Sequence, residues 1–146
     1  MTPESPYAPP QASLRPERAP EVDDLASTGQ RFADYLIDSF ATLALYLVWL
    51  VIAGPQDGLR AFLSSTAIPL VYYFALEATL GQTLGKLVTG VRVVSEDGKP
   101  ATAGQIARRT LSRLIPFEAL TFLGSRDGRP VGWHDSLAHT RVIRAR

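Results

Sequence analysis

Two long apolar runs, set only five residues apart, limit this chain more than any other feature. Phe32–Ala53 holds 22 residues and Leu59–Ala78 holds 20, with Gly54–Gly58 between them. At ~1.5 Å per residue the first run is roughly 33 Å long as a helix, enough for a hydrocarbon core of ~30 Å. Gly54-Pro55 and Gly58 break the chain sharply, so the runs predict an antiparallel transmembrane hairpin. Pro69 falls mid-span in the second run, where it removes one backbone bond and is expected to kink the helix.

The first run carries charges where water should not reach. Leu36, Ile37, Phe40, Leu43, Leu45, Leu47, Val48, Leu50, Val51 and Ile52 together favour insertion by roughly 3–6 kcal/mol, against about 3 for an aspartate at the very centre. Asp38 is therefore tolerated. On a helix Arg31 and Asp38 point within about 20° of each other, and Asp34 lies between them on nearly the same face. Glu77, near the end of the antiparallel second helix, returns to a similar depth. Asp34, Asp38 and Glu77 are thus expected to converge, with Arg31, Lys86 and the cations of residues 103–115 nearby. Carboxylates in a membrane face a protein interior or a wet cavity and need partners or protons. Two roles follow. Arg31 can snorkel and pair with Asp34, with Asp38 protonated or joining helices in an oligomer; or the stripe handles protons or cations.

The composition is segregated. Six of the eleven prolines lie in the first 20 residues, and residues 1–28 show no apolar periodicity. They read as a disordered, Pro-rich tail, leaving 29–146 as the membrane domain. Residues 86–146 hold eleven Lys and Arg against five Asp and Glu, a net of +6. The hairpin turn offers only Arg60, whereas Arg15, Arg18, Arg31, Lys86 and Arg92 flank the open end, so both termini are expected on the cytoplasmic side of an inner or plasma membrane. The apolar run starts too late, without a basic stretch before it, for a cleaved signal peptide.

Gly90–Pro100 alternates apolar and polar residues and breaks at Asp97-Gly98, which predicts a strand and a tight turn, with Thr140–Ile143 as its partner strand. Ala103–Ile115 has helical periodicity, with Ile106, Ala107, Thr110, Leu111, Leu114 and Ile115 on one face and Gln105, Arg108, Arg109, Ser112 and Arg113 on the other. Such a helix suits the anionic headgroups of a bilayer. After Pro116, Phe117–Leu123 is too short to span alone and reads as a re-entrant piece or a broken third helix, so the element covers about 103–123. The fold class is mainly α: a two-helix hairpin, a basic surface or re-entrant helix and a small cytoplasmic β element.

These residues, in this order, resemble the RDD family of small membrane proteins, named for one arginine and two aspartates. Arg31 and Asp38 fit the first two, Asp34 less well, and Trp133-His134-Asp135 supplies the last. Glu77, Gly81–Lys86 leading into Val91–Val94, Arg109 and Thr140–Ile143 add to the likeness, which covers roughly residues 27–144. The short, arginine-interrupted third apolar segment departs from the pattern. The resemblance implies a membrane location and a transport role toward unidentified ligands, with ion or proton exchange suggested for some members.

Other chemistry finds little support. The chain has no cysteine, which excludes disulfides, zinc ribbons and thiol nucleophiles. Gly81–Lys86 has three residues between its glycines and follows a membrane helix, so it is not a phosphate loop. His134, Asp135 and His139 lack helical metal-ligand spacing, and Ser136 beside Asp135 makes no triad. Asp135 is expected instead to accept hydrogen bonds from backbone or arginine and to dock the C-terminal segment. No cofactor, metal, nucleic acid or catalytic residue is expected. The expected function, drawn from Asp38 and Glu77 with Asp38 as the group whose loss should stop flux, is an oligomeric carrier of protons, small cations or another small ligand. The alternative is a non-catalytic accessory or scaffold subunit of a larger membrane complex. Expected partners are the lipid bilayer, further copies of the chain or the other subunits of that complex.

Overall fold

The computed structural model describes residues 24–115, 121 and 131–145. In chain order these form helices α1 (Thr28–Ala53), α2 (Gly58–Leu80) and α3 (Leu84–Thr89), strand β1 (Val91–Ser95), helices α4 (Ala103–Ser112) and α5 (Trp133–Ala138), and strand β2 (Thr140–Arg144). Helices α1 and α2, of 26 and 23 residues, are both long and apolar enough to cross a membrane.

Local chemistry fixes the ends of both helices. Ser27 and Gln30 form a reciprocal capping box that satisfies two orphan amides at the start of α1. Gly54 ends the helix at φ 75°, its amide bonded to the Leu50 carbonyl. The Asp57 side chain then caps α2 by accepting from the Arg60 amide at 2.8 Å. The helix runs on through Pro69 and stops at Gly81 in the left-handed region.

Burial in these helices is inverted. The buried residues of α1 are Arg31, Asp34 and Asp38, and those of α2 are Tyr72, Tyr73 and Glu77. Phe40, Leu47 and Ile52 lie on the outside. Such a surface needs a hydrocarbon solvent, which is what the hairpin reading requires.

At the open end of the hairpin, β1 and β2 pair antiparallel with Val91 opposite Arg144 and Ser95 opposite Thr140. Their inner face joins Ala26 and Ile106 in a small apolar core of Ala26, Val91, Val93, Ile106 and Val142. Ala26 corrects the boundary set for the tail. Its amide bonds to the Val142 carbonyl at 2.9 Å, and Leu25 bridges to Ile143, so these residues belong to the fold. Residues 1–23 and the expected third apolar segment, apart from Thr121, lie outside the described residues.

Helix α4 carries a second correction. Its inward face is Ile106, Arg109, Thr110 and Ser112, while Leu111 is 59% exposed and Arg108 points outward. The polar face assigned to headgroups is therefore partly the interior face. Arg109 turns inward because buried carboxylates wait there, and ion pairing in a low dielectric outweighs the pull of solvent.

Candidate functional site

Asp38 sits in a cage built by three elements. Its Oδ1 accepts from the Tyr72 hydroxyl at 2.7 Å and the Gly85 amide at 2.8 Å, and its Oδ2 accepts from the Thr83 hydroxyl at 2.6 Å. Tyr72 comes from α2, while Thr83 caps α3. The carboxylate thereby ties α1 to α2 and to α3. Close approach makes the cage, and it demands glycine. A Cβ on Gly85 would lie 2.5 Å from the Asp34 carbonyl oxygen and 3.0 Å from the Asp38 carboxyl carbon.

Asp34, one turn earlier, is held less. It accepts from the Thr89 hydroxyl at the end of α3. It shares Asp38's face as the periodicity requires, yet it lacks the three donors that surround Asp38. Arg31 does not serve mainly as a local partner for Asp34, as the sequence suggested. Its guanidinium crosses to Asp135 on α5, and also lies 3.3 Å from His134 Nε2.

Two carboxylates then gather the cations. Glu77 meets Lys86 Nζ at 3.2 Å, Arg109 Nε at 3.0 Å and Arg113 Nη2 at 3.4 Å. Asp135 pairs with Arg31 and Arg109, lies 3.4 Å from His134 Nε2 and accepts from the Gly132 amide at 3.0 Å. Arg109 is the hinge of this arrangement, since it reaches Glu77, Asp135 and the Thr140 hydroxyl together. Burial alone would raise the pKa of Asp135, but the guanidinium groups of Arg109 and Arg31 outweigh it and hold the group well below the usual carboxylate range. Lys86 is pushed down by burial, against the opposing pull of Glu77.

Among the described residues the charges balance: Arg31, Lys86, Arg109 and Arg113 face Asp34, Asp38, Glu77 and Asp135, four formal charges of each sign. All eight residues of the expected polar site (Arg31, Asp34, Asp38, Glu77, Lys86, Arg109, His134 and Asp135) are buried in this one region. His139 is not among them. It is exposed and lies 3.3 Å from Glu96. Among the described residues, no group of three His, Asp or Glu is placed to hold a metal ion.

A cavity of about 30 Å³ lies inside the cluster, lined by Arg31, Asp34, Asp38, Lys86, Arg109 and His134 together with Tyr35, Tyr73 and Arg113. That is room enough for ordered water, which needs roughly 10–15 Å³ of such space. Asp34 and Asp38 both line it, and Asp34 accepts the fewer hydrogen bonds of the two.

Sequence reasoning missed Tyr72, Tyr73, Thr83, Gly85 and Thr89. A signal did exist for the tyrosines, since Tyr73 precedes Glu77 by four residues and shares its helix face. Thr83 and Gly85 lie inside the Gly81–Lys86 stretch that adds to the RDD likeness, but no periodicity tells that they meet α1 across the fold.

The model of the RDD family matches residues 25–139, most of the chain. The match takes in all eight residues of the cluster that the sequence singled out. Neither a curated protein nor a solved structure matches the chain.

Proposed function

The chain belongs to the RDD family, and from that premise we propose that it is an integral protein of a cell membrane and one subunit of a homo-oligomeric carrier for protons or a small cation. The charged end of its hairpin faces the cytoplasm in this reading, because the cations flank that end and the turn holds only Arg60. A lone hairpin encloses too little space for a path, hence the oligomer.

One observation carries the reading: a small cavity, lined by Asp34, inside a cluster whose described charges balance. With all four carboxylates ionised, the described residues of the cluster are formally neutral. A proton on Asp34 or a monovalent cation beside it adds the same single charge. The two therefore compete for one place, which is the condition for exchange. Asp38, with three donors on its two oxygens, is the anchor of the site, and Asp34 is its exchanging group. No catalytic residue is assigned, and the protein is read as a non-enzyme.

The test is cation-driven proton flux in vesicles containing the purified protein. Asp34→Asn, which mimics the protonated carboxyl, should abolish flux while the protein still inserts and shows a cooperative thermal transition, at a lowered temperature because a buried charge has lost its match. Flux that survives Asp34→Asn removes Asp34 from the mechanism.

A second reading has its own support. Between α1 and α2 lies an open apolar groove of about 830 Å³, lined by Ala41, Ala44, Ala67 and Ala75 among larger residues. Small residues let another helix approach closely in a membrane, which favours an accessory or scaffold subunit. Native mass measurement in retained lipid separates the two. A stoichiometric foreign subunit supports the second reading, and a pure homo-oligomer supports the first.

A further inference from the structure

The other side of the hairpin has a cleft of different chemistry. It measures about 370 Å³ and carries the hydroxyls of Ser39 and Thr42 from α1 and of Ser65 and Thr66 from α2. Tyr35, Tyr73 and Arg113 line both this cleft and the cavity beside Asp34, so the two spaces meet at these three side chains.

Three of the four hydroxyl hydrogens are already used. Ser39 donates to the Tyr35 carbonyl at 2.6 Å, Thr42 to the Asp38 carbonyl at 2.9 Å and Ser65 to the Phe62 carbonyl at 3.0 Å. Their oxygens keep lone pairs to offer, so these positions accept hydrogen bonds and suit water or a partly hydrated cation. At the inner end, the Arg113 guanidinium lies 3.9 Å from the centre of the Tyr73 ring. Its Nε is buried with no hydrogen-bond partner among the described residues, which is a place for water.

We propose that this cleft is a water-filled half-channel, running from the depth of Ser65 and Thr66 to the Arg113–Tyr73 pair, and that it is the route by which water and a proton or small cation reach the Asp34 cavity. The role given to the cavity rests on the carrier reading; the hydration of the cleft does not.

The absence of cysteine from the sequence permits a direct test. Ser39→Cys and Ser65→Cys each replace one oxygen by sulfur, and Leu43→Cys and Leu47→Cys serve as controls on exposed apolar positions. The full chain, in lipid vesicles, is treated with a charged, membrane-impermeant methanethiosulfonate. Thiolates react and thiols in hydrocarbon do not, so the cleft positions should be modified at least about tenfold faster than the controls. Rates equal to the controls at both cleft positions would overturn the half-channel and leave the hydroxyls as helix back-bonds under lipid. Thr66→Cys takes the place of either variant that fails to insert, and is held to the same criterion. Labelling requires no transport, so rapid modification without flux sinks the carrier alone, and flux without modification sinks the half-channel alone.

Discussion

The turn half of the hairpin and its open end follow opposite rules of burial. In the turn half, Val51 is 85% exposed and Ile52 is 74% exposed, with no charged residue between Thr42 and Gln56. At the open end, Arg109 is 1% exposed and Asp135 is fully covered. An apolar exterior is stable only against another apolar phase, and a charged interior only when its charges are matched. One chain meets both conditions because it has two surroundings: hydrocarbon around the hairpin, and its own short helices and strands folded over the charges. The difference also locates specificity. Apolar contact with lipid tails places few demands on side-chain identity, whereas each ion pair at the open end names its partner.

The most damaging way to break this contrast is to remove a charge from the interior. Arg109→Ala leaves Glu77 and Asp135 each without a principal partner. Loss of one member of a buried pair typically costs about 3–5 kcal/mol. The variant should unfold at a clearly lower temperature in lipid nanodiscs, and protease should cut the segment carrying α5 and β2 well before α1 and α2 are lost. Unchanged protection of that segment would show that the apolar core alone holds it.

Acid should reach the same contacts without mutation. Asp135 has a folded pKa below its unfolded value of about 3.9, so its contribution is present above that pH and declines as pH falls through it toward the folded value. Protease resistance of the C-terminal segment should therefore hold from neutral pH to about 4 and fall below it. Asp135→Asn should be weaker at neutral pH and lose this part of the acid dependence. An identical acid profile in the variant assigns the transition to another group.

Gly85→Ala tests packing instead of charge. Its Cβ would stand 2.5 Å from backbone oxygen, which cannot rotate away, so α3 must shift from α1. Forced overpacking commonly costs about 1–3 kcal/mol. The Asp38 cage should loosen with it, seen as faster amide exchange at Gly85. Exchange as slow as in the parent would mean that α3 moves without disturbing the cage.

How legible this was in the sequence follows the same division. The hairpin was readable because it depends on run length and turn residues, both local properties. The strand pair was readable from alternation and the Asp97-Gly98 turn. The convergence of Asp34, Asp38 and Glu77 followed from helix geometry alone, since the antiparallel return fixes depth. Partners were not readable. Arg31 pairs with a residue 104 positions away, and no periodicity encodes that choice over a neighbour three residues on. The faces of α4 were misread for a related reason. Its inward side takes Ile106 and Thr110 from the expected apolar face and Arg109 and Ser112 from the polar one, and only the carboxylates of Glu77 and Asp135 turn Arg109 inward. Leu25 and Ala26 were assigned to the tail because an isolated apolar pair before a cap shows no period at all.

The smallest expected effect is the most informative about the assembly. Leu47 lies in the turn half, outside the alanine-lined groove, and is 52% exposed. In a packed core Leu→Ala costs about 2–5 kcal/mol, part of it for the cavity left behind. Against fluid lipid no cavity persists, because acyl chains fill the space, and the change should stay near the ±0.5 kcal/mol usual for surface positions. Thermal unfolding of Leu47→Ala in nanodiscs measures this directly. A loss of about 2 kcal/mol or more would mean that Leu47 faces protein, and that the exposed side of α1 is an interface between subunits.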